Sequence, residues 1–235
     1  MKKIVLLFTV FTVLAYGSLN NGEYLRYALP EAAGNLRGYV ILGSGAAASG
    51  LSLMADDAVR EWMQRRQYLP PAVDRIADKY VAHYWAFGAS ALGAVCKGYQ
   101  TGDYRKPVRY WAMANLSTVA LTYALKYSVG RTRPNARNKH SYPSGHTSVA
   151  FATATMYQMW YGWKAGVPAY AMAALTAFQR MDDDQHWFSD VVMGAAIGIA
   201  LPYMLYQGEE IAESGATSMY IPLSVSIPFN FPAGK

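Results

Sequence analysis

At 235 residues, 53% of them hydrophobic, the chain is ample for a sizeable core and is most simply one domain. A net charge of +6 and a pI near 9.3 favour anionic partners: phosphate groups, an anionic membrane face or nucleic acid. The single cysteine, Cys96, excludes an intramolecular disulfide framework and reads as a small buried apolar residue.

The N-terminus reads as a secretory signal peptide over residues 1–17. Lys2 and Lys3 form its charged region, Ile4 to Leu14 its apolar run, and Ala15-Tyr16-Gly17 its small-x-small cleavage site. As an anchor helix the apolar run is short for a bilayer core of about 30 Å. Exported, periplasmic placement is therefore the expectation. Beyond it, apolar segments alternate with short polar or Gly/Pro joints, and their lengths suit helices. They run approximately from Leu36 to Trp62, Ala72 to Gly98, Lys106 to Val129, His146 to Tyr161, Val167 to Met181 and Phe188 to Gln207.

The pattern predicts an all-α fold, a single bundle of about six helices. Residues 18–70 would pack on a core spanning 71–207, and 208–235, with Pro222 and Pro228, would form an extended tail. A mean hydropathy of +0.03 is low for a chain with several membrane spans. Val191 to Tyr206 is the best single candidate, but Gly194, Gly198 and Pro202 interrupt it. A soluble exported bundle is the expectation, with a membrane-embedded bundle whose site faces the exported side as the alternative; contact with a membrane surface is open, as is self-association.

Basic residues cluster at Lys126, Arg131, Arg133, Arg137 and Lys139. A nucleic-acid module would interleave such charges with exposed aromatics along a groove, so nucleic acid is not an expected partner. Lys126 falls near the end of an apolar helix, and Pro134 biases Arg133 toward an extended backbone. The pair either complements the helix dipole or converges on an oxyanion. In Pro143-Ser144-Gly145-His146, Ser144 suits an N-cap, Gly145 permits close backbone approach, and His146 opens the next helix. Such a helix start offers N–H groups to an anion. Arg180 closes a later helix, His186 follows six residues on, and Asp190 stands at i+4 from His186, where a carboxylate can fix the imidazole tautomer.

In order, Lys-x6-Arg-Pro, Pro-Ser-Gly-His and Arg-x5-His-x3-Asp resemble the type 2 phosphatidic acid phosphatase superfamily, which includes class A acid phosphatases and vanadium haloperoxidases. The resemblance implies a helical bundle and metal-free chemistry through a phosphohistidine, with no cofactor. It assigns His186 as nucleophile, Asp190 as its orienting partner and His146 as acid. Lys126, Arg133, Ser144, Gly145 and Arg180 would bind the phosphoryl group. The substrate would be a phosphate monoester, a lipid phosphate or lipid pyrophosphate included. Gln179 stands where the superfamily usually has Ser, which should alter the surrounding hydrogen bonds without abolishing activity. Asp182, Asp183 and Asp184 read as a solvated loop offsetting nearby arginines, with repulsion of a highly anionic substrate or capture of an amine on it as the alternative, and His140 reads as an exposed loop residue. A vanadate-dependent haloperoxidase and a catalytically silent anion-binding bundle are the alternatives.

Overall fold

In a computed structural model the protein is described over residues 28–66, 68–82 and 85–214. The expected signal peptide and the segment from 215 onward lie outside these residues. Among the described residues the chain is all α-helix, 3-10 turn and loop, as the sequence pattern predicts.

A short helix α1 (Leu29–Ala33) precedes α2 (Leu36–Ser52), which Asn35 caps by accepting a hydrogen bond from Gly38 N at 2.9 Å. The single helix expected to Trp62 is divided. A 3-10 turn at Leu53–Ala55 joins it to α3 (Asp56–Gln64). Next come α4 (Pro71–Ala82) and α5 (Trp85–Thr101), where one helix had been expected. Then follow α6 (Arg105–Val129), α7 (Gly145–Tyr161), α8 (Trp163–Asp182) and α9 (Phe188–Ser214). Residues 208–214, expected to begin the extended tail, are thus helical.

The core sits around α7, which packs on α8, α9, α6 and α5. Small residues make this possible: Ala150, Ala152 and Ala154 of α7, Ala173 of α8 and Ala196 and Ala200 of α9 are all buried. Close approach is tightest between α7 and α9. A Cβ at Gly198 would lie 2.3 Å from Ser148 O, and one at Gly194 2.7 Å from Ser144 O, so only glycine fits. Pro202 lacks the N–H that would bond Gly198 O; the Thr155 hydroxyl, 3.1 Å away, serves that carbonyl instead. At the end remote from Gly145, Tyr110, Met156, Trp160 and Leu205 close the core, and the Tyr110 hydroxyl donates to Pro202 O at 3.0 Å.

Among the described residues two helical stretches are long and apolar enough to cross a membrane, Leu36–Gln64 and Phe188–Ala212. The second is largely core, but the apolar window of the first is only 11% buried. Leu36, Val40, Leu51 and Met54 face outward from it. Cys96, expected inside, is exposed on α5.

Candidate active site

The sequence-predicted residues come from the facing ends of α6, α7, α8 and α9 and the joints between them. Helix α6 stops at Gly130, whose φ of 59° is the left-handed cap conformation. One turn earlier the buried Lys126 ammonium donates to His140 O at 2.8 Å, Ser141 O at 3.4 Å and Pro143 O at 2.6 Å. An ammonium has three donors, so Lys126 clamps the 140–143 loop while adding positive charge behind the start of α7. Arg133 leaves the helix as expected; its guanidinium holds Asn138 Oδ1 at 3.1 Å and Gln185 Oε1 at 2.6 Å, tying the first joint to the third.

Ser144 caps α7. Its hydroxyl faces Thr147 Oγ1 at 3.0 Å, and its own N–H donates to Asp190 O at 3.0 Å, which fixes the start of α7 against the start of α9. Gly145 and His146 follow, with N–H groups that have no intrahelical acceptor. A Cβ at Gly145 would make only ordinary contacts, with Thr122 Cγ2 at 3.7 Å and Lys126 Cε at 3.9 Å, so space alone does not require glycine there.

Arg180, 6% exposed, is held by Gln179 Oε1 at 2.5 Å and Asp78 Oδ1 at 2.6 Å, with Asp183 Oδ2 at 3.4 Å. Gln179 also donates to Asp74 and Asp183, so the residue that departs from the superfamily pattern is a fully buried bracket for Arg180. The three loop aspartates are partnered: Asp183 here, Asp184 by a two-pronged ion pair with Arg60 at 2.7 and 2.8 Å, and Asp182 by the N–H groups of Tyr68 and Leu69. His140 is exposed and lies edge-on to Tyr127.

His186, 3% exposed, places Nδ1 3.5 Å from Asp190 Oδ2, long for a hydrogen bond, and Nδ1 has no other partner. The same oxygen accepts from Ser141 Oγ at 2.5 Å and Trp187 N at 3.0 Å. With Nδ1 turned to the carboxylate, the opposite ring nitrogen is left for chemistry.

Electrostatics ties these groups into one site. Burial, followed by the charges of Arg180, His186, Arg133 and Lys126, pushes the His146 imidazole down to about 3. Burial likewise brings His186 down to about 4, with Lys126 and Arg133 adding to the effect and Asp190 opposing it. Lys126 falls to about 8 through burial and then through Arg133. Two neutral imidazoles thus stand in a positive field that an oxyanion would neutralise. Among the described residues no group of three or more His, Cys, Asp or Glu side chains is arranged to hold a metal ion.

Sequence reading missed three contributors. Arg131 binds Asp190 Oδ1 at 2.8 Å and Asp56 Oδ2 at 2.6 Å, although it had counted only as one of a basic cluster. Asp56 and Arg60 come from residues 18–70, where the sequence carries no motif. Nothing local marks Asp56, because its partners lie 75 and 133 residues away.

The family model of the PAP2 superfamily matches residues 108–211, which hold every residue of the three motifs. The chain is 44% identical to the lipid A 1-phosphatase of Porphyromonas gingivalis over 34% of its own length and 19% of that protein's. It is 35% identical to the lipid A 4'-phosphatase of Helicobacter pylori over 31% of this chain and 36% of that one. A PA-phosphatase related-family protein of Dictyostelium discoideum matches at 26% over 49% and 53%. The chain therefore aligns with about a fifth to about a half of the length of these relatives. Among solved structures, the LpxE of Aquifex aeolicus superposes with a TM-score of 0.49 at 21% identity, over 64% of this chain and 93% of that one. A transmembrane PAP2-type phosphatidylglycerolphosphate phosphatase of Bacillus subtilis gives 0.47 at 17%, over 89% and 97%. The segment 108–211 thus carries both the PAP2 superfamily match and all three filled motifs, and it is this core of the chain that is similar to that superfamily.

Proposed function

We propose that the chain is an exported, metal-independent phosphatase that removes a phosphate monoester from an amphiphilic substrate through a phosphohistidine on His186. The observation that carries this reading is the convergence of Lys126, Arg133 and Arg180 on two imidazoles, the half-buried His146 and the buried His186 backed by Asp190. Phosphoryl transfer asks little covalent chemistry of a protein and much positioning and positive charge.

In the first step the free ring nitrogen of His186 forms a bond to phosphorus as the ester P–O bond breaks, and His146 gives its proton to the departing oxygen. In the second, water attacks phosphorus, His146 takes the water's proton, and the P–N bond breaks to release inorganic phosphate. His146 is neutral in the empty cradle and must be protonated to act; a phosphate dianion among the three cations supplies the negative charge that raises its affinity for a proton. Gly145 and His146 N–H groups and the Arg133 guanidinium are the cradle's donors. Asp190, sharing Oδ2 with Ser141, keeps His186 in the tautomer that leaves its far nitrogen bare.

An amphiphilic substrate is supported by the outward apolar face of α2 and by the names of the two bacterial relatives, both lipid A phosphatases. That face also supports association with a membrane, and the pattern of residues 1–17 supports export.

The test is hydrolysis of an aryl phosphate and of a phosphorylated glycolipid in mixed micelles, both in EDTA, by wild type and His186→Ala. Wild type should turn over both, the lipid with the higher kcat/KM, and His186→Ala should lose about 10³-fold or more. Near-wild-type turnover by His186→Ala would refute the phosphohistidine, and loss of all activity in EDTA would refute metal independence.

A further inference from the structure

We propose that Asp56 is a positioning residue for the His186–Asp190 pair, acting through Arg131 and through the backbone of Ser189. The proposal rests on the reading of His186 as nucleophile and adds to it a residue outside the three motifs.

Asp56 opens α3, directly after the 3-10 turn that breaks the N-terminal helix, and is 4% exposed. Its Oδ1 accepts from Ser189 N at 2.9 Å; its Oδ2 accepts from Ser189 Oγ at 2.6 Å and from Arg131 Nη2 at 2.6 Å. The Ser189 N–H is one of the first of α9 and has no intrahelical acceptor. Asp56 therefore does for α9, from another helix, what a capping side chain does from within its own. The next residue is Asp190, so the same contact sets where that carboxylate stands.

Arg131 supplies the second link. It puts Nη1 on Asp190 Oδ1 at 2.8 Å and Nη2 on Asp56 Oδ2, while the Trp187 ring lies 5.2 Å from its guanidinium carbon. One cation between two buried carboxylates leaves the trio with one net negative charge. The other charges acting on His186 are positive, Lys126 from α6 and Arg133 from the joint after it, so this surplus is the counterweight to an imidazole that gains charge as it attacks phosphorus. Were Asp56 neutral, Arg131 would turn its whole charge on Asp190, and the pull of Asp190 on Nδ1–H would weaken. Ser189 Oγ, 2.6 Å from both Arg131 Nη1 and Asp56 Oδ2, belongs to the same link.

The experiment compares the full chain with Asp56→Asn, which keeps the side chain's shape and removes its charge, and with Asp57→Asn, an exposed neighbour, as control. Nitrogen NMR on histidine-labelled protein reads the His186 tautomer, its signal identified by loss in His186→Gln; kinetics read kcat, KM and product inhibition by inorganic phosphate. Asp56→Asn should shift His186 from the Nδ1–H form toward a mixture and lower kcat about tenfold to a hundredfold, the range for outer partners of a working histidine. Phosphate inhibition should stay as in wild type, since no cradle donor is touched, and Asp57→Asn should change nothing. An unaltered tautomer overturns the proposal, whether kcat holds or falls together with phosphate binding and melting temperature. If Asp56→Asn does not fold, Ser189→Ala must produce the same shift to a smaller degree, and failure to do so is equally decisive. Wild type without turnover would sink the phosphatase reading alone, because the tautomer comparison needs no substrate.

Discussion

At the scale of the residue, Lys126 is where the pattern and the geometry differ most usefully. Its place in the motif suggests a ligand for phosphate, yet all three of its donors are engaged by His140 O, Ser141 O and Pro143 O. It contributes charge to the cradle and form to the loop that carries Ser141 and Ser144. Lys126→Ala should therefore lower stability as well as turnover, by about 1–3 kcal/mol for carbonyls left unpaired in the interior, and weaken vanadate inhibition. Chemical denaturation and vanadate titration of one preparation check both; a variant of wild-type stability that had lost only vanadate binding would show that the loop clamp is dispensable. The order and spacing of the motif residues were legible in the sequence, and Lys126, Arg133, His146, Arg180, His186 and Asp190 come from the facing ends of α6, α7, α8 and α9 and the joints between them. What holds them was not. Asp78 on Arg180 and Asp56 on Arg131 are contacts across 102 and 75 residues, and a partner at such range leaves no local spacing to read.

Among the helices, the relation of α7 to α9 decides whether the site exists, because Ser144 N bonds Asp190 O across that seam. Gly194 faces Ser144 and Thr147 at the site end, and Gly198 faces Ser148 and Ala152 one turn further away. Either substituted by Ala would force backbones apart, at about 1–3 kcal/mol for overpacking. Gly194→Ala should in addition depress kcat, since the shift falls on the residues that place Asp190 and the start of α7, whereas Gly198→Ala should act mainly on melting temperature. Thermal melts beside steady-state kinetics for the two variants separate these outcomes, and equal effects on kcat would mean the seam moves as a rigid whole. Sequence alone placed these helices well because their apolar runs end at glycine, proline or polar joints. It merged α2 with α3 because the 3-10 turn at Leu53–Ala55 carries Leu, Met and Ala, all good helix formers. It stopped α9 early at Gly208, a residue whose missing Cβ instead lets α9 lie against α1, 2.5 Å from Ala28 O by the position a Cβ would take.

For the molecule as a whole, folding stability should report the burial of the two imidazoles and the cations around them. Both imidazoles take protons less readily in the folded chain than the ordinary value of 6.5, His146 at about 3 and His186 at about 4. As pH falls from 6.5 toward 4 the unfolded chain binds protons that the folded one refuses, so their contribution is intact above 6.5 and is lost progressively across that window. Melting temperature should therefore decline between pH 6.5 and 4, and more steeply in wild type than in a His146→Gln, His186→Gln double variant, which cancels the common titration of surface carboxylates from the comparison. Inorganic phosphate should oppose the decline. An oxyanion in the cradle eases the protonation of both histidines, and by linkage protonated histidines tighten the oxyanion, so the rise in melting temperature with phosphate should be larger near pH 5 than near pH 8. Parallel pH slopes for wild type and the double variant would mean that neither burial nor the surrounding cations hold the imidazoles neutral. A phosphate effect that is the same at both pH values would mean that the cradle binds its anion without coupling to the residues that must pass the proton.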